Sequence, residues 1–468
     1  MAKNARQNFY RGTVKLVPGG LPRWKEEYDS CVRCGACLSV CPTYQSELIE
    51  SYGPRGRVEL AGNLLMGDFK PTSSFIDRLT SCIDCKACVT HCPSGVELDT
   101  LFNAAKEKIA FYRGMGLLNR LIASGVAWGR PLYPLLKGLD LLRRIFYETI
   151  PVESVIGKLL PFVRNGKKRN LPPVARIPFY RQFQKNKRPA LAGQPKGRVA
   201  FFPGCVINFS ETEIGKATVE VLNHYGIEVL IPPVQLCCGI PLISMGERGS
   251  AKKLARKNME MLEEMKVDAV ITSCASCAYT FKKEYPKLFP EDEKRVEKFQ
   301  ALVWDIHEFL SQNVDITTGL GEINQSVSFH DPCHLKRGLG ISESPREILK
   351  AIPGIQFKEL KDADRCCGFG GIFSLKHYDL AMKVAEEKVA RIEESQVETV
   401  ATGCPGCSLH IGDALTQAGN KTVVRHTVQI LADSIRSQKA PSGKKTNPLD
   451  ARSRGKSEPA EVDFIKMK

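Results

Sequence analysis

Short apolar runs alternate with longer helical patterns in the C-terminal half of the chain, and the whole series occurs twice. Alternating strands and helices predict α/β units with parallel strands, whose ligand sites lie at the carboxyl ends of the strands. The predicted strands of the first copy are residues 198–202, 227–231 and 268–272, with helices at 211–225 and 252–265. In the second copy the strands are residues 327–329 and 398–402, with a helix at 377–395.

Ten cysteines follow the same repeat. Each copy has one Cys after its first predicted strand, then a Cys-Cys-Gly triplet, then Cys-x-x-Cys after its last strand, and the copies are offset by 128 to 130 residues. Five thiolates exceed the four that a tetrahedral zinc takes, so a multi-iron unit suits them better. The candidate ligands are Cys205, Cys237, Cys238, Cys274 and Cys277 in the first site, and Cys333, Cys366, Cys367, Cys404 and Cys407 in the second.

The N-terminal part contains Cys-x2-Cys-x2-Cys-x3-Cys-Pro twice. This spacing is typical of ferredoxin-type sites for cubane [4Fe-4S] clusters, in which the fourth Cys of each motif binds the other cluster. Two zinc sites, the alternative, would need two separated Cys pairs for each metal. The predicted ligands are Cys31, Cys34, Cys37 and Cys92 for one cubane, and Cys82, Cys85, Cys88 and Cys41 for the other.

A helical pattern at residues 57–66 lies between the two motifs, which indicates that this part of the chain is helical around its clusters. Arg55 and Arg57 stand at its start. Two interpretations remain open at this point: these side chains lie near the clusters and raise a reduction potential, or they are exposed basic residues.

The composition and the cysteine count indicate the kind of compartment in which the protein works. The chain has 468 residues, a net charge of +16 and 18 Cys, all of which the four predicted sites use, so disulfides are disfavoured. We see neither a signal peptide nor an apolar run long enough to span a membrane. The sequence therefore predicts a soluble cytoplasmic protein in a reducing compartment.

The positive charge is concentrated in residues 113–198, where 18 Lys and Arg face three acidic residues and no Cys occurs. Apolar positions within this segment are spaced as in amphipathic helices. A basic amphipathic segment suits peripheral contact with the inner face of an anionic membrane, although packing on its own domains or on a partner subunit is the alternative. Nucleic-acid binding is disfavoured because no recognised nucleic-acid motif accompanies the charge.

Two ferredoxin motifs followed by two Cys-Cys-Gly domains resemble the iron–sulfur subunit of glycolate oxidase, within a group that includes lactate dehydrogenase and heterodisulfide reductase subunits. The segments Gly53-Pro-Arg-Gly-Arg57 and Cys92-Pro-Ser-Gly-Val96 and residues 424–430 share in the resemblance. It implies an oxidoreductase subunit that passes electrons from the FAD of a partner dehydrogenase, which oxidises glycolate or lactate, to quinone or another acceptor. It also implies two [4Fe-4S] cubanes and one or two further [4Fe-4S] clusters, cubane or noncubane, in the Cys-Cys-Gly domains.

Two alternatives remain: a heterodisulfide-reductase-like catalytic subunit that reduces a disulfide at a noncubane cluster, and Cys-Cys-Gly domains that are zinc or binding modules. No catalytic set and no dinucleotide-binding motif stands out, so flavin must come from another chain. His330 and His334 stand on either side of Cys333. Three roles remain open for them: one moves protons during reduction, or they orient a ligand, or they cap a helix.

The predicted fold is a multidomain α+β and α/β protein: a helical ferredoxin-type two-cluster domain, a basic helical linker and two duplicated α/β Cys-Cys-Gly domains. The predicted divisions are residues 1–24 (extension), 25–110 (ferredoxin-type), 111–197 (linker), 198–320 and 321–436 (Cys-Cys-Gly domains) and 437–468 (disordered tail).

Overall fold

The structure is a computed structural model that describes residues 23–67, 71–113, 137–138, 163–164, 167–168, 174–183, 195–234 and 236–439. Most of the basic linker, including its predicted amphipathic helices, and the chain beyond Lys439 lie outside these residues. A short antiparallel pair, β1 (Val163–Arg164) and β2 (Lys167–Lys168), and the helix Phe179–Phe183 are described within the linker. Among the described helices, none is both long and apolar enough to cross a membrane.

The N-terminal part is helical, as predicted. Its central helix, Pro54–Met66, buries Val58, Ala61 and Leu65 against the last helix of this part. Proline is favoured at a helix start, and Gly67, at φ +88°, supplies the left-handed residue that ends the helix. The helices are Trp24–Ser30, Pro42–Glu47, Pro54–Met66, Ser73–Thr80, Ala87–Thr90 and Leu98–Arg113, with 3₁₀ turns at Ala36–Leu38 and Glu50–Tyr52.

Two parallel sheets form the C-terminal half. In the first, β3 (Gly197–Phe201), β4 (Ile227–Leu230), β5 (Ala269–Thr272) and β6 (Val303–Asp305) are arranged in the order β4-β3-β5-β6. The second contains β7 (Gln325–His330), β8 (Ile355–Phe357), β9 (Thr399–Thr402) and β10 (Val423–His426), in the equivalent order β8-β7-β9-β10. The central strands β5 and β9 are buried along their whole length because helices cover both faces. The predicted duplication and parallel strands are confirmed.

Helices connect these strands in both copies. The first copy has helices Gly204–Phe209, Thr212–His224, Ile240–Ser244, Arg248–Glu264, Ala275–Tyr279, Tyr285–Leu288, Glu293–Leu302 and Ile306–Asn313, with a π-helical turn at Thr280–Glu284 and a 3₁₀ turn at Pro290–Asp292. The second has a π-helical turn at His334–Gly338 and helices Glu343–Ala351, Ile372–Lys376, Tyr378–Ser395, Pro405–Gln417 and Thr427–Lys439. This last helix continues three residues past the predicted start of the tail; the other domain limits stay predictions.

The two α/β copies share one hydrophobic core, and the helix Thr212–His224 packs on Thr427–Lys439 across their boundary. The helical N-terminal part packs on both copies. Its helix Pro42–Glu47 packs on Tyr378–Ser395, and Ile83 lies in a small apolar cluster with Cys366 and Phe373. The predicted cysteine sites of different domains are therefore close in space.

Candidate metal centres

The first N-terminal cavity is lined by four thiols from both ferredoxin motifs. Arg33 and Gly35 have positive φ angles of 56° and 86°, which turn the loop so that its three cysteines face one space. At φ +86°, residue 35 has a left-handed backbone conformation that glycine adopts without strain, so this loop favours glycine. The four lining cysteines are Cys31, Cys34, Cys37 and Cys92. The structure thus brings together the first predicted ligand set, with its fourth member from the other motif.

The second N-terminal cavity is the reciprocal arrangement. It is lined by Cys41 of the first motif and by Cys82, Cys85 and Cys88 of the second. Burial, together with the nearby Cys82, raises the pKa of Cys88 well above its ordinary value, and burial raises that of Cys37 to about 11. Cys37 and Cys88 therefore favour the neutral thiol until a cation binds and displaces the proton.

Arg57 is enclosed beside the second cavity, and only 1% of its surface is exposed. It donates hydrogen bonds to the carbonyl oxygens of Arg78 and Ser81 and, over 3.1 Å, to Thr43 Oγ1, which lies 3.3 Å from Cys41 Sγ. No carboxylate pairs with Arg57 in the described part of the chain. The interpretation of Arg57 as an exposed basic residue is therefore wrong.

Arg55 has a different environment from Arg57. Its side chain is 38% exposed and makes two hydrogen bonds, of 2.7 and 3.1 Å, with the carboxylate of Glu50. It still lines the first cavity. The two arginines at the start of one helix therefore face different cavities, and only one of them is buried.

A buried network of charges lies where the second cavity meets the first α/β copy. Lys86 pairs with Asp84 at 2.9 Å and with Asp99 at 2.7 Å, and Lys287 of the α/β copy lies 3.4 Å from Asp99. Burial opposes ionisation of Asp99, but the two lysines outweigh it and lower the pKa of Asp99. Their pairing fixes the Cys85–Cys88 loop against its neighbour.

For Glu107, on the helix Leu98–Arg113, burial outweighs the nearby positive charge. Burial raises the pKa of Glu107 to about 7, although Arg248 lies 3.6 Å away. Arg248 also donates to the carbonyl oxygen of Lys287. The contact between the helical part and the first α/β copy therefore contains one carboxyl that is costly to ionise.

The first Cys-Cys-Gly site lies at the carboxyl ends of β3, β4 and β5. Cys205 Sγ is 4.0 Å from Cys237 Sγ, and the Cys238 thiol hydrogen-bonds that of Cys277, which in turn contacts Cys274. All five predicted members of this site are thus brought together.

The second site repeats this arrangement at β7, β8 and β9. Cys366 contacts Cys333, Cys367 contacts Cys407, and Cys407 contacts Cys404. All these thiols except Cys333 are buried. The five predicted members of the second site therefore also meet.

Local backbone geometry explains why each Cys-Cys-Gly triplet ends in glycine. Gly239 and Gly368 have φ angles of +103° and +92°, and their N–H groups lie 3.5 and 3.4 Å from the sulfurs of Cys237 and Cys366. A Cβ at residue 368 would lie 2.4 Å from the carbonyl oxygen of Ala381. Glycine adopts this backbone conformation without strain at both positions, close packing at residue 368 also excludes a side chain, and each turn directs an N–H toward a sulfur.

Contacts between sites are the feature that the sequence did not indicate. The thiol of Cys85, from the second N-terminal cavity, hydrogen-bonds Cys333 and Cys366 of the second Cys-Cys-Gly site. Cys274 and Cys404, from the two copies, hydrogen-bond each other, and Ala275 N donates to Gly403 O over 3.2 Å beside them. No local motif encodes these contacts, since their partners lie more than a hundred residues apart.

The chemistry of the donors fits iron–sulfur clusters. Each N-terminal cavity has a triplet of thiols and a fourth thiol from a distant segment, the pattern that cubane clusters require. Each five-thiol site offers more sulfur ligands than a single tetrahedral metal uses. Thiolates are soft ligands, which select iron–sulfur units, zinc or cuprous copper over hard cations. Fold and donors together define a protein of the multi-centre iron–sulfur class.

Comparison with known proteins agrees with this class. The 4Fe-4S dicluster domain family matches residues 27–96, and the cysteine-rich domain family matches residues 199–282 and 327–412. A probable glycolate oxidase iron–sulfur subunit of Bacillus subtilis is 31% identical over 432 residues, which are 88% of this chain and 96% of that protein. The chain belongs to the family of glycolate oxidase iron–sulfur subunits, and it is an iron–sulfur protein with an oxidoreductase role.

Two further relatives show the breadth of the group. Lactate utilization protein A of Bacillus cytotoxicus is 33% identical over 237 residues, which are 50% of this chain and 98% of that protein. The chain is also similar to a subunit of the dihydromethanophenazine:CoB–CoM heterodisulfide reductase of Methanosarcina mazei. The two are 26% identical over 438 residues, which are 87% of this chain and 94% of that protein. Two of these three relatives are named as subunits, which implies that this chain also works with partners.

Proposed function

We propose that the chain is the electron-transfer subunit of a flavin-dependent 2-hydroxy-acid dehydrogenase or oxidase that acts on glycolate or lactate. The names of its relatives support this substrate class. The observation that carries the proposal is the series of thiol contacts from Cys85 to Cys333 and Cys366, and from Cys404 to Cys274. Electron transfer requires closely spaced centres. Contacts between neighbouring sites therefore support a role in which the sites exchange electrons.

The proposed occupants are four iron–sulfur clusters, which supply one-electron carriers when bound. Two are cubane [4Fe-4S] clusters in the N-terminal cavities, held by the two crossed sets of four cysteines. One further [4Fe-4S] cluster, cubane or noncubane, is held by each Cys-Cys-Gly site. The residues around them exclude water from the buried thiols and hold the sites in the order first cavity, second cavity, second Cys-Cys-Gly site, first Cys-Cys-Gly site.

A partner must oxidise the substrate in this proposal. Removal of a hydride from a 2-hydroxy acid needs a two-electron acceptor, and the sequence contains no dinucleotide-binding motif. The expected donor is FAD in a separate dehydrogenase subunit, and the expected acceptor is quinone or another carrier.

The test is anaerobic purification, followed by metal analysis and an activity assay. Four clusters predict about 16 Fe per chain, whereas about 8 Fe with zinc would favour zinc modules in the C-terminal half. The chain alone should not oxidise glycolate or lactate with a one-electron dye, and addition of the flavoprotein should start the reaction. Oxidation by the flavin-free chain would refute the proposal.

A second candidate is a catalytic subunit that reduces a disulfide at a noncubane cluster. The complete sets of five thiols in both copies favour it, as does the similarity to a heterodisulfide reductase subunit. It predicts that the chemically reduced chain, without any flavoprotein, converts a disulfide to thiols. The electron-transfer proposal predicts no such turnover.

Location on the cytoplasmic side and peripheral contact with a membrane stay proposals. Residues 113–198 have the charge for such contact. Association of the full chain with anionic liposomes should weaken as salt is added. Replacement of the basic residues of this segment should abolish it, and unchanged association would contradict this assignment.

A further inference from the structure

The two Cys-Cys-Gly sites differ at one position that the repeat makes equivalent. His330 stands three residues before Cys333, and Phe202 stands three residues before Cys205. Both side chains are completely buried. The ring of Phe202 packs edge-on against that of Phe281, with centroids 4.9 Å apart. An imidazole in the second site therefore replaces a hydrocarbon ring in the first.

The orientation of His330 directs one ring nitrogen toward sulfur rather than toward a nitrogen or oxygen partner. Its Nδ1 lies 3.1 Å from the carbonyl oxygen of Ala363, which can only accept, so Nδ1 must carry the proton. Its Nε2 is buried and has no nitrogen or oxygen partner in the part of the chain that the structure describes, and the ring contacts the Cys367 thiol. In the neutral ring, this nitrogen presents a lone pair.

Two sulfurs lie beside that lone pair. A ring nitrogen of His330, Cys367 Sγ and Cys407 Sγ are all within 4.8 Å of one another, and all three residues are buried. When a metal ion displaces the protons of the two thiols, all three groups become electron-pair donors, and a cation between them satisfies all three. Imidazole and thiolate both bind iron, and a metal-bound His typically donates its other N–H to a backbone carbonyl, as His330 does to Ala363.

We propose that Nε2 of His330 is a ligand to an iron of the cluster in the second Cys-Cys-Gly site, together with the sulfurs of Cys367 and Cys407. This inference rests on the proposed iron–sulfur occupancy of that site. It makes the two sites chemically different: the second has nitrogen and sulfur ligands, and the first has only sulfur ligands from its five cysteines, with Phe202 in place of the imidazole.

The test is pulsed electron paramagnetic resonance on the full chain, purified anaerobically with its clusters and produced with either ¹⁴N- or ¹⁵N-histidine. The signal of the second site is identified by its loss in Cys407→Ser, because Cys407 contacts only cysteines of its own site. That signal should show the large isotropic coupling of a directly bound nitrogen, and isotope exchange should rescale it. This measurement uses the unmutated chain, so it does not depend on whether a variant folds.

Two variants complete the experiment. His330→Phe, which copies the first site, should abolish the nitrogen coupling, whereas His410→Gln should retain it because His410 Nε2 faces the carbonyl oxygen of Ala381 at 3.3 Å. A cluster signal without nitrogen coupling, or with coupling that persists in His330→Phe, overturns the ligand but not the proposed function. Absence of iron from the second site overturns both.

Discussion

Replacement of Arg57 by Gln should lower the reduction potential of the cluster in the second N-terminal cavity. Arg57 is buried, and no carboxylate neutralises it in the described part of the chain, so its charge acts on the electron that the cluster gains. Removal of a nearby positive charge makes reduction less favourable. The sign of the shift is therefore fixed by the structure.

The magnitude follows from the contacts through Thr43. Its Oγ1 lies 3.1 Å from Arg57 Nη2 and 3.3 Å from Cys41 Sγ, so the guanidinium is within about 6.4 Å of that sulfur. Two unit charges at this distance interact by about 2.6 kcal/mol at an effective dielectric constant of about 20. Because the added electron is spread over the cluster, we expect about 2 kcal/mol, which is about 90 mV for a one-electron couple.

The assay is an anaerobic redox titration followed by electron paramagnetic resonance, in which each cluster is identified by its own signal. Arg57→Lys keeps the charge and should retain most of the potential. Arg55→Gln is the matched control: Arg55 is 38% exposed and paired with Glu50, so its loss should change the potential of the other cubane only slightly. An unchanged potential in Arg57→Gln, or an equal decrease in Arg57→Lys, would refute the electrostatic explanation.

Three further predictions concern cluster ligands and stability. Cys92→Ser and Cys34→Ser should perturb the same paramagnetic signal, and the crossed assignment fails if Cys92→Ser instead matches Cys88→Ser. Lys86→Met should destabilise the chain by about 3 to 5 kcal/mol in anaerobic urea unfolding, because Asp84 loses its ion-pair partner and Asp99 keeps only Lys287; a loss below about 1 kcal/mol would contradict this. The pKa of Glu107 rises from 4.5 to about 7 on folding, so its ionisation costs stability as pH increases through this range. Relative to Glu107→Gln, the unmutated chain should therefore lose about 2 kcal/mol between pH 5.5 and 8, whereas parallel pH profiles would exclude the effect.

Much of the local architecture could be predicted from the sequence, because it depends on interactions between near neighbours. The alternation of apolar runs and helical patterns predicted the parallel strands, and the observed β4 (Ile227–Leu230) and β9 (Thr399–Thr402) lie within the predicted ranges. The spacing of cysteines in the ferredoxin motifs predicted which thiols would share a cavity, since three thiols separated by two residues can face only one cluster.

Only the tertiary structure decided how the sites are arranged relative to one another. Arg55 and Arg57 share one helix start, yet packing against Ser81 and Thr43 buries only Arg57. The contact between Cys85 and Cys333 joins residues about 250 positions apart. Such contacts depend on how complete domains pack, which is the sum of many small apolar interactions that leave no periodic pattern in the sequence. The orientation of the His330 ring also depends on tertiary packing. The carbonyl of Ala363, in the loop that follows β8 (Ile355–Phe357), fixes the ring so that Nε2 points away from it.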